Sequence, residues 1–151
     1  MALERETELT TDELNQFLSE RETGVLSFAR DDEPYAIPIS YGYDASEPRF
    51  YLRLVSTPDS EKRRFLSSSP HVRLVVYEPD DPIYRSAIAA GALTEVTMDD
   101  LSVEHIEQYG RAKRPLFEIW AESRSEVDVK LYELAPDELS GRRVKIDRDS
   151  T

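Results

Sequence analysis

Between Gly24 and Asp44 the chain reads "GVLSFAR", "DDE", "PYAIPISYGYD". The first run alternates, with Val25 and Ser27 on one side and Leu26 and Phe28 on the other, and the acidic triplet is a short hairpin loop. Two adjacent antiparallel strands joined this tightly commit the chain to a sheet of nearest neighbours. Pro38 adds a constraint inside the second strand. It has no N–H to give a ladder, so the strand is an edge or is bulged there.

The pattern continues. "RFYLRLV" (Arg49 to Val55), "HVRLVVYE" from His71 and "IYRSAIAAGALTEVT" from Ile83 read as further strands, the last two joined by "PDDP". "VDVKLYELAPDELSG" is the sixth strand, and "RRVKID" is a short extension of it. Gly91 inside the long fifth strand marks a bend or a close backbone approach. Helices punctuate the strands. Thr10 and Glu13 have capping-box spacing ahead of the Leu14, Phe17, Leu18 stripe. A second helix runs from Ser60 to Ser67, "DDLSVEHIEQYGRA" is a third, and Pro115 opens a fourth in "PLFEIWAE". No strand–helix–strand alternation is sustained. The expected class is mainly β, a six-stranded antiparallel barrel in one domain with peripheral α-helices. Residues 1–9 and 147–151 are expected to be flexible ends.

The formal net charge of -12 argues against nucleic acid as a partner. Only Lys62, Lys113, Lys130 and Lys145 are lysines. Acid excess with so little lysine resembles a halophilic protein from a high-salt cytoplasm, where screening shortens self-repulsion; an ordinary acidic protein is the other reading. The chain has no cysteine, and its start lacks a signal-peptide core, so a cytoplasmic location is expected. No membrane span is expected either. His71 and His105 have no partner at ligand spacing, so no metal site is expected. Nucleophile elbows and phosphate loops are absent from the sequence. The strand tyrosines Tyr35, Tyr41, Tyr43, Tyr51, Tyr77 and Tyr84 read as core or cross-strand packing.

One local anomaly remains. In so acidic a chain, "TPDSEKRRFL" gathers Lys62, Arg63 and Arg64 at a helix start. A phosphate there would gain from free N–H groups, the helix dipole, a lysine and the Ser60 hydroxyl. A solvated helix face, with Asp59 and Arg63 paired at i,i+4, explains the same residues.

The order of these elements resembles the pyridoxamine 5′-phosphate oxidase-like flavin-binding family: the proline-bearing strand, "RFYLRL", "SEK", a helix, "SSSPHVRLVVYE", then "YRSAIAAGAL". The resemblance covers Gly24 to Val96. It implies a split β-barrel, a homodimer, and FMN at the subunit interface. Ile37, Pro38 and Ile39 would lie along the flavin ring, largely through backbone groups. Leu52 and Arg53 stand where the family has a pair near the phosphate, and Arg53 suits that charge. Ser60 and Lys62 match a phosphate-binding serine and lysine, with Glu61 replacing an arginine between them. Ser86 stands where the oxidases place a glutamine against the ring, five residues before Gly91. The family's substrate-binding tail has no match beyond Tyr132, so vitamin-B6 phosphates are not expected as substrates. The function implied is a flavin-dependent oxidoreductase of unspecified small-molecule substrate. A non-catalytic flavin- or haem-binding module and a deazaflavin-dependent reductase are the rivals. Catalytic residues stay unassigned; Tyr84 and Arg85 are the nearest candidates.

Overall fold

A computed structural model describes residues 3–56, 70–97, 99, 103, 107, 109 and 128–147. Among them lie β1 (Leu3–Glu8), α1 (Thr11–Glu20), β2 (Thr23–Arg30), β3 (Glu33–Asp44), β4 (Arg49–Ser56), β5 (His71–Asp80), β6 (Ile83–Val96) and β7 (Asp128–Asp147). All pairings are antiparallel, in the order β1-β7-β4-β3-β2-β5-β6, and β6 also pairs with β7. Six strands therefore close a ring, and β1 is added outside it.

That seventh strand corrects the expectation of six strands. β7 is long enough to take two partners along one edge. Its Asp128–Leu134 half pairs with β4, and its Arg142–Asp147 half pairs with β1. The "RRVKID" segment is the continuous end of a 20-residue strand, the expected extension of the sixth strand. The expected helix at 60–67, the one opened by Pro115 and residues 148–151 lie outside the described residues. Of the expected helix after Asp99, the described residues Val103, Glu107 and Tyr109 are helical.

Local chemistry explains the turns and the helix. Asp31 and Asp32 both have positive φ, 50° and 66°, the conformation that a two-residue hairpin turn requires and aspartate tolerates. α1 starts with the full capping box: Glu13 N–H donates to Thr10 Oγ1 at 3.2 Å, and Thr10 N–H donates to Glu13 Oε1 at 3.0 Å. Its buried face is Leu14, Phe17 and Leu18. Two tyrosines of β3 fix the helix to the ring. Tyr41 O–H donates to Leu18 C=O at 2.8 Å, and Tyr43 O–H donates to Asn15 Oδ1 at 2.6 Å. Burial pushes both phenols above their usual range, so both remain donors.

Inside the ring, β6 contributes the small Ala87 and Ala89, whereas β3 and β4 contribute Tyr41, Tyr43, Phe50, Leu52 and Leu54. The Phe50 ring lies 5.5 Å from Tyr41 and 4.8 Å from Tyr43, centroid to centroid. The β6–β7 register shifts between Ala90 and Gly91, skipping Asp137. At Gly91 an added Cβ would come 2.5 Å from the Ala135 carbonyl oxygen, so the close approach expected of this glycine is present. Gly91→Ala is expected to destabilise the fold by about 1–3 kcal/mol, as overpacking against rigid backbone does. Urea unfolding measures it; an unchanged midpoint would mean that the bulge yields freely.

Candidate functional site

The ring is not paired evenly. β3 and β4 share only the register from Tyr41↔Leu52 to Asp44↔Arg49. Beyond Tyr41, β3 continues toward Glu33 paired with β2, while β4 continues to Ser56 paired with β7. Between the two stretches the sheet is split, and among the described residues no strand pairs with either inner edge.

The hydrogen-bond parity says which groups face the split. Tyr41 N–H donates to Glu22 C=O at 2.9 Å, on the β2 side. In an antiparallel ladder this alternates, so Ile39 and Ile37 also bond toward β2. Ala36, Pro38 and Ser40 then turn their backbone groups to the split. Pro38 occupies a position whose nitrogen needs no ladder partner, which is how an internal proline fits an unbulged β2–β3 register.

Side chains sort by the same alternation. Ile39 and Leu52 are buried in the core at 2% and 0% exposure, with Ile37 packed against it. With their side chains in the core and the backbone groups of Ile37 and Ile39 bonded toward β2, these positions border the split without turning a polar group to it. Pro38, Ser40 and Arg53 belong to the opposite, outer face: Pro38 is exposed, Arg53 is half-buried, and Ser40 is buried. Continuing the Tyr41–Leu52 register by one step sets Ser40 against Arg53, the first step at which the strands no longer pair. Beside them Tyr51 is buried under Tyr109, whose ring lies edge-on at 5.3 Å and whose O–H donates to Tyr132 C=O at 3.0 Å.

Ser40 carries a signal that sequence reasoning missed. It is 4% exposed, and among the described residues its Oγ has no hydrogen-bond partner. A buried hydroxyl left unpaired costs about 1–3 kcal/mol. The sequence hint was a lone hydroxyl in the otherwise apolar and aromatic "YAIPISYGY", two residues after the proline. An orphaned hydroxyl, an unpaired backbone edge and one arginine fit a polar, anionic group carrying a flat ring.

Ser86 lies elsewhere. It stands on β6 opposite Tyr77 and Arg142, with β5 and β2 between it and β3. The structure therefore brings Ile37, Pro38, Ile39, Leu52 and Arg53 to one split and leaves Ser86 apart; Ser60 and Lys62 fall outside the described residues. His71 takes no part: it is exposed, with Nε2 at 3.3 Å from Asp137 Oδ2. A cavity of about 310 Å³ between α1 and the β5–β6 turn suits an anion poorly, since Glu13, Glu20, Glu78 and Asp80 line it with Arg21 and Arg85. No helix among the described residues is long and apolar enough to cross a membrane.

Residues 10–143 match the family model described as pyridoxamine 5′-phosphate oxidase. No curated protein matches the chain. Among solved structures, an FAD-binding protein from Mesorhizobium loti is 20% identical, with a TM-score of 0.68 over 96% of this chain and 99% of that one. The FAD binding protein from Mycobacterium smegmatis is 17% identical, with a TM-score of 0.65 over 92% and 98%. The FAD and haem binding protein from the same organism is 19% identical, with a TM-score of 0.63 over 95% and 73%. At these identities the likeness shows the fold.

In ligand-free protein, Ser40→Ala removes an unpaired buried hydroxyl and is expected to raise stability by about 1–3 kcal/mol. Chemical denaturation checks it; a loss of stability would mean that the hydroxyl is satisfied within the chain.

Proposed function

The chain belongs to the pyridoxamine 5′-phosphate oxidase family, and from that membership we propose that it is an FMN-binding split-barrel protein, a flavin-dependent oxidoreductase acting as a homodimer on a small redox substrate. The observation that carries this reading is the split between β3 and β4, with Ser40 unpaired on one side and Arg53 on the other. Ala36, Pro38 and Ser40 would meet the flavin ring through backbone groups and the Ser40 hydroxyl. Arg53, with Ser60 and Lys62, would hold the phosphate. When bound, the flavin supplies reversible electron and hydride acceptance. The residues around it position the ring and offset the phosphate charge. The acid-rich composition suits a high-salt cytoplasm.

The outer face supports the dimer. In register, Pro38, Val25, Val75 and Ile88 form one row across β3, β2, β5 and β6. Pro38 and Ile88 are exposed, and Tyr77, two residues along β5 from Val75, is 65% exposed. A second copy covering this row would remove its apolar surface from water. It would also give Ser86, which is remote from the split of its own chain, a route to the ring of the partner's site. Ile88→Glu is expected to convert a dimer to a monomer in light scattering; a wild-type monomer would remove the dimer from this reading.

A non-catalytic flavin- or haem-binding module is the second reading, favoured by the structural likeness to an FAD and haem binding protein. Reduction of the bound flavin by a nicotinamide donor separates the two. Titrating apo-protein with FMN and following flavin fluorescence tests the site. Lys62→Ala and Arg53→Ala are each expected to weaken binding about tenfold to a hundredfold, the equivalent of one charge-assisted contact, and Arg64→Ala to leave it unchanged. Small, equal effects from all three would make the basic run a solvated helix face.

A further inference from the structure

Away from the split, two neighbouring strands bring cations together. Arg143 of β7 stands opposite Arg85 of β6 on one side and Thr7 of β1 on the other. Two residues along, Lys145 stands opposite Ile83 and Arg5. Like charges set directly opposite each other destabilise a sheet, and a chain with 31 acidic residues against 19 basic ones has no shortage of acids to place there. Of the described acids only Glu13 pairs with Arg143, its Oε2 3.8 Å from Arg143 Nη1, and its other oxygen already closes the α1 capping box.

The neighbouring cation behaves differently. Arg142, one residue away and on the opposite face of β7, is paired with Glu6. The unbalanced charge is thus confined to one face. On that face Thr7, Ile83, Arg143 and Lys145 line a cavity of about 380 Å³.

We propose that this cavity is an oxyanion site for a phosphate-class ligand, better suited to a diphosphate than to a single phosphate. A guanidinium fork, an ammonium and a hydroxyl supply the donors such oxygens accept. On a strand Arg143 and Lys145 stand about 6.6 Å apart along the chain, and both line the cavity. A group with two charged centres can meet both at that spacing, whereas a single phosphate cannot. The site is separate from the β3–β4 split and does not depend on flavin binding.

Isothermal titration of the full chain at low ionic strength, with pyrophosphate and with inorganic phosphate, tests this. Pyrophosphate is expected to bind, more tightly than phosphate, with saturating FMN present or absent. The double variant Arg143→Gln, Lys145→Gln is expected to weaken pyrophosphate binding about tenfold or more, and Arg142→Gln to leave it unchanged. A thermal shift with pyrophosphate should exceed that with sodium chloride at matched ionic strength. No binding heat, equal losses in the double variant and Arg142→Gln, equal shifts with both salts, or competition by FMN would each overturn the assignment.

Discussion

The pairing of β6 with β7 is the contact on which the other features rest. It runs from Ile83↔Lys145 to Val96↔Leu131 and turns an open sheet into a ring. Closure forces every strand to curve, and a curved sheet must relieve strain somewhere. One relief is the bulge at Asp137, which the bare backbone of Gly91 accommodates. The other is the parting of β3 from β4. One long strand serves β6 along one edge and two separate strands along the other.

Parting two strands exposes backbone donors and acceptors that a sheet would otherwise consume. Here the exposed edge carries a proline that has no donor to lose, a serine whose hydroxyl lacks a partner, and an arginine on the facing strand. A packed core lies directly behind, with Ile39 and Leu52 fixing the backbone that borders the opening. A rigid ring therefore presents a polar slot, and the aromatic pair Tyr51 and Tyr109 closes off its neighbourhood on the outer face. Such a slot suits a planar ring with a charged tail better than the acid-lined cavity beside α1.

Much of this was legible in the sequence because it is local. Period-two runs found six of the strands, Thr10 and Glu13 located the start of α1, Gly91 announced a close approach, and Pro38 announced an unpaired position. What stayed hidden is non-local. "LERETE" shows no apolar alternation, and it becomes a strand only because the end of β4 leaves the far edge of β7 available. Ser40 reads as one polar residue among many until its burial and missing partner are seen. The distance of Ser86 from the split is a matter of strand order, β6 to β5 to β2 to β3, which periodicity does not encode.

The central claim is that a flavin seats against the unpaired edge of β3. Amide hydrogen exchange, residue by residue, with and without FMN, tests it most directly. In apo-protein the Ala36 and Ser40 amides should exchange readily while the β2-bonded Ile37 and Ile39 amides stay protected. Saturating FMN should slow Ala36 and Ser40 and leave the far strands β5 and β6 unchanged outside any subunit contact. Protection that appears elsewhere on the ring, with Ala36 and Ser40 still exchanging at their apo rates, would contradict the account.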